Sequence, residues 1–254
     1  MIKITAIIPT LNEEIHIEKA INSVSFADEI IIIDSYSTDK TIELAKKKNL
    51  KNLKIVQREF DDFSTQKNYA IDLAENKWIY ILDADERVTP AVEQEIIAAV
   101  KNPQDFVGFY LRRTFYFCGK KINYGGCQRD KVIRLFLKEF CKYSGVVHET
   151  ITANGKIGFF KNKIEHYSYK NYDHYISKMN QYGALRAKQF YQEGKKVNLF
   201  HILVKPPARF VIHYFIRRGF LDGFPGYIFA KTQSYSVYTK YLKLWLLNKG
   251  IKKV

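Results

Sequence analysis

The sequence holds three cysteines, Cys118, Cys127 and Cys141, an odd set with no Cys-x-x-Cys pair. That excludes a disulfide framework and a cysteine zinc site, and it fits a reducing cytosol. A Gly-x-Gly-x-x-Gly turn and a Gly-x-x-x-x-Gly-Lys-[Ser/Thr] loop are both absent, which disfavours dinucleotide oxidoreductases and P-loop enzymes. No apolar run approaches the roughly 18 residues of a membrane span. The Met1 to Ile8 start lacks the basic and long apolar regions of a signal peptide. The chain is therefore expected neither to be exported nor to thread a bilayer. Its 254 residues, 46% of them apolar, suffice for one large α/β domain with an extension.

The first hundred residues alternate strand and helix signals. Strands are expected at Ile2 to Ile8, Glu29 to Asp34, Leu53 to Arg58 and Lys77 to Leu82, with helices at Glu13 to Val24, Thr38 to Lys48 and Ser64 to Glu75. Near-continuous apolar strands between helices imply a parallel sheet covered on both faces. Ligands of such sheets bind beyond the carboxyl ends of the strands. Those ends carry Pro9-Thr10-Leu11-Asn12-Glu13-Glu14, Asp34-Ser35-Tyr36-Ser37-Thr38-Asp39, Arg58 and Asp83-Ala84-Asp85. Further β-like runs lie at Phe106 to Phe117 and Val132 to Leu137.

The run Trp78-Ile79-Tyr80-Ile81-Leu82 stops at two carboxylates separated by one small residue. Asp83 and Asp85 share one side of an extended segment, an arrangement that suits Mg²⁺ or Mn²⁺ shared with a substrate diphosphate. The same residues also suit a solvated strand-to-loop turn. Asn12 and Asp34 are open to two readings as well: the first and second helices need caps, and a nucleoside needs polar contacts, Asp34 being able to accept from the imide N–H of a uracil.

Four ordered motifs carry a family resemblance: Ile7-Ile8-Pro9-Thr10-Leu11-Asn12-Glu13-Glu14, Ile32-Ile33-Asp34-Ser35 to Thr38-Asp39, Gln66-Lys67-Asn68-Tyr69-Ala70 and Leu82-Asp83-Ala84-Asp85-Glu86. Together they resemble family 2 glycosyltransferases of the GT-A fold. Arg58-Glu59-Phe60 to Asn68, Val147-His148-Glu149 and Arg217-Arg218-Gly219-Phe220-Leu221-Asp222-Gly223 are similar to the branch that adds β-glucose to the lipopolysaccharide inner core. The resemblance implies an α/β, Rossmann-like nucleotide-sugar-binding domain with a mixed central sheet. It implies a catalytic domain over residues 1–168, with a nucleotide-binding half at 1–100 and an acceptor half at 101–168, and a helical extension over 169–254. Pro9, Thr10, Asn12, Glu13, Asp34, Lys67 and Asp83 are then expected to bind the donor, a nucleotide diphosphate sugar such as UDP-glucose. Lys67 stands where many relatives place Arg, and an exposed helix lysine would read the same way. Asp85 is expected at Mg²⁺ or Mn²⁺, with His166 as a further ligand and His148 competing for that role. Inverting transfer needs a base for the acceptor hydroxyl. Glu149 is the first candidate, although relatives more often have Asp there, and Asp130 is the second. A nucleotidyltransferase is the neighbouring alternative, but the basic Gly-rich triphosphate loop it needs is missing.

Charge is concentrated at one end. Residues 161–254 hold 18 Lys and Arg against 4 acids, whereas residues 1–160 are almost balanced. Aromatics interleave with these cations at helical spacing, from Tyr172 to Trp245. Such a pattern fits an anionic membrane surface, a nucleic acid or a solvated helical face over an aromatic core. Beside a lipid-anchored glycan acceptor, the expectation is reversible binding to the inner face of the cell membrane and no nucleic-acid partner.

Overall fold

The computed structural model describes residues 3–117, 119–127, 131–145, 150–167 and 172–251. The chain divides into two compact units, one of Met1–Arg113 with Asp130–His166 and one of Thr114–Arg129 with Tyr167–Val254.

The first unit begins with β1 (Ile4–Thr10), α1 (Ile17–Ser23), β2 (Glu29–Asp34), α2 (Thr41–Lys47), β3 (Leu53–Gln57), α3 (Phe63–Leu73) and β4 (Trp78–Ile81). It continues through β5 (Glu86–Arg87), α4 (Pro90–Lys101), β6 (Phe106–Phe117), β8 (Lys131–Leu137), β9 (Cys141–Ser144), β10 (Thr150–Ala153) and β11 (Lys156–His166); the end of β6, from Thr114, and the short β7 (Lys120–Ile122) fall in the second unit. The main sheet runs β3-β2-β1-β4-β8-β6-β11-β5. β3, β2, β1 and β4 are parallel, while β8 lies antiparallel to β4 and to β6. The sheet is thus mixed, as the resemblance implied; the apolar-strand pattern applies to its first four strands.

Period-two alternation sorts the β1 and β2 side chains to two faces. Ile4, Ala6, Ile8, Ile30 and Ile32 enter one core with α1 and α4, and Ile7, Ile31 and Ile33 enter the other with Ala70 and Ile71 of α3. Both faces of these strands are covered, which is why they contain almost no polar residue before their carboxyl ends. The Asp62 side chain accepts from the backbone N–H of Thr65 at 2.8 Å and so starts α3. α4 starts with Thr89 as cap and Pro90 in its first turn.

In the second unit α5 (Tyr172–Gln192) packs along α8 (Gly223–Asn248), with α6 (Leu199–Leu203) and α7 (Lys205–Val211) between them in sequence. Phe117, Ile122, Tyr175 and Phe229 form one buried cluster, and Ala187, Tyr241, Leu244 and Leu247 another. The Arg217 to Gly223 motif works structurally here. The Asp222 carboxylate accepts from the backbone N–H groups of Asn123, at 3.0 Å, and Tyr124, at 2.8 Å. Gly226 lies so close to Gly219 that a Cβ would come within 2.0 Å of the Gly219 carbonyl oxygen. No described helix is long and apolar enough to cross a membrane.

Candidate active site

The carboxyl ends of β1 and β2 are adjacent, with Pro9 paired to Ile33 and Thr10 to Asp34. The loops that follow are stitched together by side chains. Asn12 adopts a left-handed conformation, φ 55°, which Asn tolerates better than most residues. Its backbone N–H donates to Ser37 Oγ at 2.9 Å, and its side-chain oxygen accepts from the Thr38 backbone N–H at 2.8 Å. Asp34 is fully buried. It accepts from the Ser37 backbone N–H and from Gln57 Nε2, both at 3.0 Å, and from the Ser37 hydroxyl. A carboxylate has about four acceptor positions, so one remains. Thr10 is buried with its hydroxyl on the Ile8 carbonyl, and the Glu13 backbone N–H donates to Thr41 Oγ1 at 2.8 Å. Asn12 and Asp34 do not cap helices by side chain: α1 starts after His16 and α2 after Lys40, neither of which makes a side-chain cap. Asn12 bonds instead to Ser37 and Thr38 of the neighbouring loop, and Asp34 to Ser37 of its own loop and Gln57 of β3.

At the end of β4 the acidic turn meets three cations. Arg134, in the middle of β8, is buried, and its guanidinium reaches Asp83 and, at 2.6 Å, Glu86. Lys67 of α3 is also buried, 3.3 Å from Asp83 and 5.2 Å from the centroid of the Tyr143 ring. Arg113 of β6 lies 3.4 Å from the fully buried Glu86. Burial opposes ionisation of Asp83, but the charges of Arg134, Lys67 and Arg113 outweigh it and hold the carboxyl far below the usual carboxylate range. Burial likewise opposes the charged form of Arg134, and Asp83 and Glu86 reverse that effect.

Asp85 faces a different partner. The pairing of β5 with β11 sets His166 opposite Glu86, and His166 Nε2 comes 3.5 Å from Asp85 Oδ2. Both side chains are mostly shielded, an oxygen and an imidazole nitrogen converging on one point. That donor pair fits a divalent ion completed by ligand oxygens; no cluster of three His, Cys, Asp or Glu that could hold a metal alone occurs among the described residues. Glu149, His148 and Asp130 lie outside the described residues. The chain four residues before Glu149 is tied to α3: Ser64 Oγ donates to the Gly145 carbonyl at 2.6 Å, and Asn68 Nδ2 to that of Tyr143 at 3.0 Å.

The family model for glycosyl transferase family 2 matches residues 5–149, the span that supplies these strand ends and loops. The chain belongs to glycosyl transferase family 2. An uncharacterized glycosyltransferase of Rickettsia bellii is 30% identical over 256 residues, covering 95% of this chain and 86% of the relative. The lipopolysaccharide core biosynthesis glycosyltransferase LpsC of Rhizobium meliloti is 26% identical, covering 94% of this chain and 93% of its own. Among solved structures, the mannosyltransferase PcManGT of Pyrobaculum calidifontis, in complex with GDP-Man and Mn²⁺, superposes with a TM-score of 0.51 at 15% identity, covering 95% of this chain and 86% of that one. The fold is therefore GT-A, with a helical C-terminal part.

For this family 2 glycosyltransferase the sequence reading missed Arg134 and Gln57 and gave Glu86 no role; it took Ser37 as a candidate helix cap and Arg113 as an acceptor-side cation, whereas they bond to Asp34 and Glu86. A signal for Arg134 was present. It is the one charge inside Val132-Ile133-Arg134-Leu135-Phe136, and a charge buried in an apolar strand requires a partner of opposite sign.

Proposed function

We propose that this enzyme moves a hexose, glucose, from a UDP-linked donor to a lipid-anchored glycan such as the lipopolysaccharide inner core, with inversion at the anomeric carbon. The observation that carries the reading is the unequal treatment of the two aspartates. Asp83 is neutralised by Arg134 and Lys67, while Asp85 faces His166. Asp83 is accordingly a hydroxyl acceptor for the ribose or sugar, and Asp85 with His166 would hold Mg²⁺ or Mn²⁺, which when bound neutralises the leaving diphosphate. Pro9, Thr10, Asn12, Glu13 and Asp34 frame the nucleoside, and Lys67 adds positive potential beside the diphosphate. Glu149 takes the acceptor hydroxyl proton as that oxygen attacks the anomeric carbon and the sugar–phosphate bond breaks. One displacement requires no covalent sugar intermediate. LpsC supports the core-glycan acceptor class, and the Mn²⁺ and nucleotide sugar of the mannosyltransferase complex support the metal and the donor class.

The second unit supports a location on the anionic inner leaflet of the membrane. Phe210, Tyr214, Phe215, Phe220, Phe224 and Tyr227 form a continuous aromatic cluster with ring centroids 5.0 to 6.3 Å apart. Phe224 is 72% exposed and Ile216 70%. A π-helical turn at Ile212–Ile216, then Arg218 in a left-handed conformation, interrupt the helices here. Exposed apolar surface of this kind marks an interaction site, and the neighbouring Arg217, Arg218 and Lys231 suit acidic headgroups.

A thermal-shift panel of UDP, GDP, CDP and dTDP with and without Mn²⁺ tests the donor reading. Stabilisation by UDP that depends on Mn²⁺ and is lost in Asp85→Ala is the expected result. No response to any diphosphate would sink it. Transfer by Asp85→Ala should fall by about 10²- to 10³-fold, the range for removing a charge-stabilising group.

A further inference from the structure

The second unit holds another concentration of charge that the transfer reaction does not use. Phe190, Lys195, Lys196, His201, Lys205 and Tyr241 line a cavity of about 380 Å³. Aromatic rings meet the cations there. The Lys195 ammonium lies 4.1 Å from the centroid of the Phe190 ring, and those of Lys205 and Lys240 lie 4.8 and 4.6 Å from that of Tyr241. Lys205 also donates to the Tyr241 hydroxyl at 2.8 Å. Glu193 pairs with Lys195 at 2.6 Å. Among the described residues no carboxylate pairs with Lys196, Lys205 or Lys240. Rings compensate a cation only in part, so Lys195, Lys196 and Lys205 line a concave site with one acid beside them, and Lys240, outside the lining, lies against its Tyr241 ring.

The electrostatics agree with the geometry. Burial lowers the pKa of Lys240; Tyr241 opposes that shift, and the individually smaller effects of Lys205, Arg186 and Arg209 add to it. Burial, then Lys205 and Lys240, likewise push His201 below its ordinary value. An anion in the cavity, beside Lys205, offsets the repulsion that Lys205 exerts on both Lys240 and His201. Ammonium groups bind a multiply charged phosphate as compact point charges.

We propose that this cavity is a phosphate-binding site that takes a phosphomonoester or diphosphate group, with the apolar or sugar part of the same ligand against Phe190 and Tyr241. The phosphate would be borne by a lipid headgroup or by a soluble or glycan molecule. The site lies within the second unit and stands independently of the donor and acceptor assignments.

Calorimetric titration of the full chain with inorganic pyrophosphate, in a non-phosphate buffer at fixed ionic strength, tests it. Affinity should fall about tenfold in each of Lys205→Gln and Lys240→Gln, and Lys205→Arg should retain it. UDP binding should be unchanged in all three, which separates this result from the donor reading. Equal pyrophosphate affinity in natively folded Lys205→Gln, Lys240→Gln and the unaltered chain would overturn the proposal. So would a wild-type response that chloride at equal ionic strength reproduces, a comparison that needs no variant. Phosphatidylcholine vesicles doped with phosphatidic acid or phosphatidylglycerol at equal surface charge identify the source. A preference for phosphatidic acid that Lys240→Gln removes supports a lipid-borne phosphate. Equal binding to both vesicles, with pyrophosphate affinity intact, supports a soluble or glycan-borne one.

Discussion

The two units handle charge in opposite ways. In the first, buried cations and acids are matched within a few ångströms: Arg134 spans Asp83 and Glu86, Arg113 supports Glu86, and Lys67 supports Asp83. In the second, cations outnumber acids and lie on aromatic rings, as Lys205 and Lys240 do on Tyr241 and Lys231 does on Phe210. Matched charge resists rearrangement and holds a catalytic edge in shape. Unmatched charge leaves free energy available for an external anion. Family membership rests mainly on the first unit's motifs, and both proposed partner surfaces lie on the second.

The comparison breaks most visibly if a buried cation is removed from each side. Arg134→Met leaves Glu86 and Asp83 without their shared partner and should cost about 3–5 kcal/mol in urea unfolding. Lys240→Met, removing a cation crowded by others of like sign, should be neutral or stabilising. Equal losses would mean that the two units do not differ as described.

Acid separates the units next. Burial, with Arg209 and Arg217, pushes His213 down to about 4, against about 6.5 in an unfolded chain. A depressed folded pKa contributes stability that is complete above the unfolded value and lost as pH falls through the window between the two. His213 should therefore remove up to about 3 kcal/mol between pH ~6.5 and ~4. Asp83, held far below its usual range, keeps its contribution until the pH drops below about 3.9. Melting curves of His213→Gln should lack the first loss and retain the second.

A smaller effect is expected at the exposed aromatic surface. Phe215→Ser with Phe224→Ser should weaken association with anionic vesicles by about tenfold or more, from roughly 1–2 kcal/mol per buried ring, while leaving UDP binding intact. The smallest effect should be Asn12→Gly, which permits the same backbone conformation and removes the side-chain bonds to Thr38. About 1 kcal/mol of stability is expected to go, together with weaker UDP binding.

Sequence and structure agree most where the chemistry is periodic or local. β2 occupies Glu29–Asp34 as its unbroken Ile run implies, and β1, β3 and β4 lie within a few residues of their expected bounds. α1 is much shorter than expected, because Asn12 and Glu13 turn to bond with Ser37 and Thr41 and the helix begins only after them. Strand order beyond β4 was not legible from apolar runs, since antiparallel insertion of β8 depends on pairings distant in sequence. The site was half legible. Asp83 and Asp85 announce themselves by spacing, whereas Arg134 reaches Asp83, Arg113 reaches Glu86 and Gln57 reaches Asp34 from strands whose neighbours only folding reveals.

Asn12 carries a further consequence. A turn closed by its own side chains, across two loops and in a left-handed conformation, has little conformational entropy left to lose. Nucleotide recognition would therefore order the ligand far more than the protein. Affinity at this edge becomes a matter of which atoms the ligand offers, and exchange between donors can be fast without the loops opening.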